Sequence, residues 1–210
     1  VQRFEDGLAG KNFSRHSSGV GHAGAADGFH QRFFDDAALD VQRQLAAALL
    51  RRAPADAVRQ AIAAGVDCCG ENRVQEAKEK RTIVPDRGFW HLIGHLQTNK
   101  AKQAVTLFDL IESADSEHLL AALDKAAGQQ HKQQDILLQL NIAREEQKTG
   151  FLIEDYLAIL PQLDDYKNLC VRGLMVIAPL CGDIEETRPV FKEGSVSYTH
   201  LRAHETLMNL

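Results

Sequence analysis

The stretch from Val66 to Lys102, VDCCGENRVQEAKEKRTIVPDRGFWHLIGHLQTNKAK, limits the possible folds more than any other part of the chain, because it sets two strand-to-helix joints within thirty-seven residues. Val66 to Cys69 is a short, apolar, β-favouring run. Gly70 breaks it, and Asn72 with Gln75 three positions on has the form of a helix N-cap and its capping-box partner. In the helix this predicts, Val74 and Ala77 lie on the inner face, while Glu76 and Lys80, four apart with the acid first, pair on the outer one. The plan then repeats, with Phe89 to Ile93 as a buried strand, Gly94 as the break, and Thr98 or Asn99 capping a helix that begins near Lys100. Two consecutive strand–turn–helix units point to a parallel α/β sheet.

The alternation continues downstream. Leu107 to Ser113 reads as a strand, and Ser116 caps a helix with Leu119, Leu120, Leu123 and Ala127 inward, stopped by Gly128. Ile136 to Ala143 is apolar on both faces, as a central parallel strand is. A charged loop, Arg144 to Lys148, leads through Thr149 and Gly150 into a helix from Ile153 to Leu160, and Val171 to Ile177 is the last clear strand. Upstream, Ala38 to Arg52 reads as an amphipathic helix ended by Pro54, and Ala57 to Ala64 as a short helix closed by Gly65 in a left-handed cap. Five strands, near residues 66, 90, 108, 137 and 172, match the middle of a (β/α)8 barrel. The expected fold is an incomplete TIM-type barrel with about five of its eight strands.

Composition narrows the partners. The uncharged runs, such as Ile136 to Ala143, are strand-sized and far below the roughly 20 apolar residues of a spanning helix, so no membrane partner is expected. A formal net charge of −5 without a basic cluster argues against a nucleic-acid surface, which needs concentrated Lys and Arg. The four cysteines, Cys68, Cys69, Cys170 and Cys181, have no C-x-x-C spacing, and the expectation is buried free thiols in a reducing cytoplasm. Residues 1 to 35 hold six of the fifteen glycines and three of the nine histidines with no periodicity, so poor order is expected there. His16, His22 and His30 match no common metal spacing, and no metal site is expected. No basic start followed by an apolar run opens the chain.

The strings GENRVQEAKEK, FWHLIGHLQTNKAK, FDLIESADS, ILLQLNIAREEQKTGF and VRGLMVIAP, in this order, resemble the pyridoxal phosphate homeostasis proteins, single-domain relatives of the alanine racemase N-terminal barrel. The resemblance runs from about residue 54 to 193. It implies a pyridoxal-5'-phosphate-binding barrel that carries or buffers the cofactor in the cell without catalysing a reaction, and members that are mostly monomeric. It also implies a lysine on a first strand, bound to the cofactor as a Schiff base. At that place the chain reads LAAALLRRAPADAV, and no lysine stands between Lys11 and Lys78. Arg51 and Arg52 cannot substitute, since a guanidinium stays protonated and is a poor nucleophile. Covalent attachment at the family's position is therefore not expected.

Both ends depart from the family. Residues 1–53 do not match it, and the tail from residue 194, GSVSYTHLRAHETLMNL, has no βα alternation and has the wording of translated sequencing adapter. In the family this region supplies the last strands and the cofactor's phosphate site, which in such barrels lies in the loops after strands 7 and 8. The expectation is a partial barrel over residues 54–193, an inactive fragment, flanked by foreign or frame-shifted ends.

Pocket groups of a β/α barrel lie at the C-terminal ends of its strands, which makes Asn72, His91 with Gly94, Asn141 and Met175 the candidates. Asn72 matches the family's asparagine near the cofactor ring and equally explains itself as an N-cap. His91, between Trp90 and Leu92, is either a cofactor contact or a core histidine with its own partner. Met175 either packs against the flat ring or is plain core. His95 lines the mouth, and Glu145, Glu146 and Lys148 read as a solvated loop. The alternative function, an amino-acid racemase using the same cofactor, needs acid and base groups on both faces of the substrate, including a tyrosine from a second domain. Tyr156 and Tyr166 fall in a predicted helix and loop of the barrel and no second domain is expected, which disfavours that reading.

Overall fold

The computed structural model describes residues 53–66, 68–84 and 89–208, with side chains followed to His204. The expectations for residues 1–52, including the glycine-rich segment, His16, His22, His30 and the Ala38–Arg52 helix, lie outside the described residues. The elements are α1 (Ala55–Ala63), β1 (Cys68–Glu71), α2 (Val74–Ile83), β2 (Phe89–Leu92), a 3₁₀ turn (Thr98–Lys100), α3 (Ala101–Leu107), β3 (Leu110–Ala114), α4 (Glu117–Gln129), β4 (Gln134–Leu140), α5 (Ile153–Ile159), a 3₁₀ stretch (Leu160–Asp165), β5 (Leu169–Val176), a 3₁₀ turn (Ile184–Thr187) and α6 (Arg188–Met208).

The strands form one parallel sheet in the order β1-β2-β3-β4-β5, each pairing with the next in sequence. Parallel neighbours joined by helical crossovers in sequential order make a sector of a β/α barrel. The ladder slips between Ile111 and Ala114 and again between Ile136 and Leu137, where Arg172 is the extra residue on β5. One face of the sheet meets the helices. Trp90 and Leu92 of β2, Ile111 of β3 and Ile136, Leu138 and Leu140 of β4 are buried there with Ala104, Leu120, Leu123 and Tyr156 of the helices. The residues between them point to the other, inner face. That face carries two polar pairs, His91 on β2 with Glu112 on β3 and Arg172 on β5 with Asp135 on β4 at 3.0 Å, beside the apolar Leu110, Leu137 and Met175.

Several local readings hold. Gly65 follows α1 with φ +101°, and the Val66 N–H reaches back to the Ala61 carbonyl at 3.0 Å, closing the left-handed cap. The Ser116 hydroxyl accepts from the Leu119 N–H at the start of α4, whose Leu119, Leu120, Leu123 and Ala127 are buried. Among the described residues no disulfide joins the four cysteines; Cys68 and Cys69 are buried as expected, whereas Cys170 and Cys181 are half-buried.

Others are corrected. The N-cap of α2 is Arg73, extended and without a side-chain cap bond, so Asn72 does not cap the helix, and Gln75 donates to Glu79 instead. Lys80 does not pair outward with Glu76. It turns inward to Glu71 at 2.5 Å, because the buried Glu71 carboxylate needs a counter-charge, and Glu76 faces Arg73 at 3.9 Å. Neither Thr98 nor Asn99 caps the next helix, which is entered through the 3₁₀ turn. Beyond the strands, residues 188–208 form one helix. Its Leu201 is 2% exposed, and Tyr156 Oη donates to the Ser197 carbonyl at 2.7 Å.

Candidate functional site

The C-terminal ends of the five strands share one side of the sheet, and the structure makes one close junction there. The Ile93 N–H donates to the Glu71 carbonyl at 3.0 Å, locking the end of β2 to the end of β1. One residue on, Gly94 lies directly against the backbone of Asn72. A Cβ at Gly94 would stand 2.8 Å from the Asn72 Cα and 2.9 Å from its carbonyl carbon, with the carbonyl oxygen closer still. Gly94 is thus required by backbone approach. Beneath the junction Glu71, 1% exposed, is clamped by Lys80, and its second oxygen, Oε2, has no hydrogen-bond partner among the described residues. Burial raises the Glu71 carboxyl above its ordinary range, partly offset by Lys80. Burial, then the Glu71 charge, push the neighbouring Cys69 thiol up to about 11.

Asn72 is therefore half-buried, fixed through its backbone, and relieved of the capping role; among the described residues its amide group makes no hydrogen bond. The other candidates are committed elsewhere. His91 is buried with Nδ1 at 2.8 Å from Glu112 Oε1, the arrangement of a core histidine with its own partner. Asn141 spends both amide hydrogens on the carbonyls of Glu145 (2.9 Å) and Lys148 (3.0 Å) and accepts from the Glu145 N–H at 3.1 Å, so it staples its own loop. His95 pairs through Nδ1 with Asp115 Oδ2 at 2.9 Å, tying the loop after β2 to the one after β3.

Met175 is half-buried on the inner face, between Leu174 and Val176, which pack on the helix side. Through the ladder, His91 aligns with Leu110, Asp135 and Cys170, five residues before Met175, so register alone does not set His91 and Met175 side by side. What the fold brings together is Asn72 and Gly94.

The loop after β4 is more structured than its charges suggested. Lys148 Nζ meets Glu145 Oε1 at 2.6 Å and donates to the Ala178 carbonyl at 3.2 Å, bridging the ends of β4 and β5. Sequence reasoning also passed over Glu112 and Asp115, the acids that hold the two histidines. An acid inside the apolar string LFDLIES is a signal of a buried partner, since carboxylates are seldom buried unpaired. Among the described residues no cluster of three metal-ligating groups occurs, and no helix is long and apolar enough to cross a membrane.

Comparison with known proteins gives a consistent result. The family model for the alanine racemase N-terminal domain matches residues 51–195. The chain is 35% identical over 141 residues to the pyridoxal phosphate homeostasis protein of Aquifex aeolicus, covering 67% of this chain and 62% of the relative. It is 37% identical over 139 residues to that of Synechocystis, covering 65% and 63%. Among solved structures, PipY of Synechococcus elongatus with pyridoxal phosphate bound superposes with a TM-score of 0.67 at 39% identity, covering 73% of this chain and 72% of that one. An alanine racemase of Clostridium difficile shares the fold alone, at TM-score 0.57 and 10% identity. The chain spans 62% and 63% of the length of the first curated relatives it matches.

Proposed function

The chain belongs to the pyridoxal phosphate homeostasis protein family, and from that premise we propose that it contributes to intracellular cofactor homeostasis as a pyridoxal-5'-phosphate-binding part that carries out no catalysis. These residues supply the ring side of the site without its covalent anchor or its phosphate cradle. One observation carries this reading: the uncommitted, half-buried amide of Asn72, held at the mouth by the Gly94 contact, is a ready hydrogen-bond partner for a polar aromatic ring.

The residues present fit the cofactor's ring and do not fit its attachment. Asn72 offers both a donor pair and an acceptor, and Met175 offers an apolar, polarisable face. No lysine stands between Lys11 and Lys78, and the amine of Lys148 is engaged by Glu145 and Ala178. Past β5 the described chain runs into α6 rather than into further strands. When bound, the cofactor supplies a reactive aldehyde. The role of these residues is to orient and shield its ring, with His91 and Glu112 holding the floor of the inner face in place. A racemase reading has no support from the tyrosines, since the Tyr156 hydroxyl is buried and donates to the Ser197 carbonyl. The cytoplasm is the compartment this reading implies.

The test is an absorbance titration of the purified chain with pyridoxal phosphate, then borohydride reduction and mass mapping. Reversible binding that Asn72→Ala weakens, with no single lysine modified stoichiometrically, is the expected result. A stoichiometric adduct on one lysine would overturn the half-site reading and make the chain a covalent carrier. Absence of any saturable binding would overturn cofactor binding by these residues altogether.

A further inference from the structure

The amide of Asn72 makes no hydrogen bond among the described residues, so its direction is set by the backbone beneath it, and that backbone lies against Gly94. A steric contact fixes its neighbour only while the segment that makes it is itself held. Two ties from the end of β3 hold it. Buried Ser113 donates through Oγ to the Gly94 carbonyl at 2.7 Å. One residue on, His95 Nδ1 stands 2.9 Å from Asp115 Oδ2, and since a carboxylate only accepts, Nδ1 carries the proton. Asp115 is fixed in turn: its side chain is 7% exposed, and its other oxygen accepts from the Ser116 hydroxyl at 3.1 Å, at the start of α4. The His95 side chain is 54% exposed, and a pair made by so exposed a group adds little stability. What the pair sets is the course of the loop.

Resting on the ring-site reading above, we infer that His95 is a positioning residue for the cofactor: held by Asp115, it keeps the Gly94–His95 peptide against Asn72 and so aims the Asn72 amide at the ring without touching the ring itself. Ser113 holds the carbonyl of that peptide and Asp115 holds the side chain that follows it. Either tie alone would leave the peptide free to turn about the other. The strength of a hydrogen bond from a carboxamide to a ring atom falls steeply with angle, so a small turn at Gly94 is felt at the cofactor before it is felt in the fold.

The full chain is titrated with pyridoxal phosphate by absorbance as the parent, His95→Ala, His95→Asn, Asn72→Ala and the Asn72→Ala/His95→Ala double variant. Amide hydrogen exchange is read in the cofactor-free chains at Ile93, whose N–H makes the backbone bond of the junction. His95→Ala should bind about fivefold more weakly, short of the roughly tenfold expected for Asn72→Ala because Ser113 still holds the carbonyl, and exchange at Ile93 should quicken at least about threefold. His95→Asn, whose amide N–H can stand where Nδ1–H stands, should bind within about twofold of the parent, and in the Asn72→Ala background His95→Ala should change affinity by less than about twofold. A fivefold loss undiminished in that background overturns the inference and makes His95 a direct contact of the cofactor. Unchanged affinity or unchanged Ile93 exchange in His95→Ala overturns it as well, and so does failure of His95→Asn to restore binding. Asn72→Ala weakened beside an unaffected His95→Ala sinks this inference alone, whereas Asn72→Ala equal to the parent, or a parent that does not bind, sinks the ring-site reading and this inference with it.

Discussion

Replacing Gly94 by alanine puts the β1–β2 junction under a defined load. The new Cβ would lie 2.8 Å from the Asn72 Cα, and ordinary contact begins at 3.4 Å, so one backbone must retreat by about 0.6 Å, and by more at the carbonyl oxygen. Neither side can rotate away, since both are main chain, and the Ile93–Glu71 hydrogen bond ties them together. Overpacking costs roughly 1–3 kcal/mol, and the rigidity here places Gly94→Ala toward the upper end. For a chain of this size each kcal/mol lowers Tm by about 2–4 °C, giving a drop of roughly 5–10 °C. Two other glycines separate sterics from backbone strain. Gly182→Ala meets nothing within 4 Å and should stay within about 0.5 kcal/mol of the parent. Gly65→Ala meets nothing either but sits at φ +101°, and should lose about 1–2 kcal/mol to conformation alone. Urea unfolding of the three variants checks the order Gly94, Gly65, Gly182. A Gly94→Ala midpoint equal to that of Gly182→Ala would refute the close-approach argument, and cofactor affinity unchanged in Gly94→Ala would refute the placement of Asn72.

Lys80→Met strands a carboxylate that is 1% exposed, and should cost about 3–5 kcal/mol, most of it recovered in the double variant with Glu71→Leu; a double-mutant cycle in urea that finds the two effects additive would remove the pair from the account. Asn72→Ala should leave stability within about 0.5 kcal/mol, its amide being uncommitted, yet weaken pyridoxal phosphate binding about tenfold, the worth of roughly one hydrogen bond of 1.4 kcal/mol in the absorbance titration. The Cys69 thiol, pushed up from 9.0 to about 11 by burial and then by Glu71, holds its proton longer in the folded chain than in the unfolded one. That contribution is fully present below about pH 9 and is lost as pH rises toward about 11, a span worth roughly 3 kcal/mol. Cys69→Ala should flatten the alkaline fall in urea midpoint, and parallel slopes for the two proteins would disprove it.

The parallel α/β order was legible because periodicity and breakers act locally. Gly65, Ser116 and Gly94 announce turns through their own backbone chemistry, and Trp90 and Leu92 announce the face of β2 by alternation. What escaped was set by partners distant in sequence. Asn72 has the form of a cap, and only the Gly94 contact, made across the end of the neighbouring strand, shows that its backbone is pinned one residue before the helix begins. Lys80 has an acid four residues upstream, but a buried carboxylate nine residues away outbids an exposed pair that gains little in water.

The tail marks the same boundary from the other side. Residues 194–208 continue α6, because docking a helix there asks for little. The Tyr156 hydroxyl binds the Ser197 carbonyl, a backbone group that any residue provides. A Cβ at position 194 would meet Val176 Cγ2 at 3.3 Å, a tight contact that a shift of a few tenths of an ångström relieves, and Leu201, 2% exposed, fills the layer. Many helical sequences meet those terms by chance. The mouth is different in kind: the close approach of Gly94 to Asn72 needs a particular residue at a fixed place, and packing of a helical layer alone does not supply it.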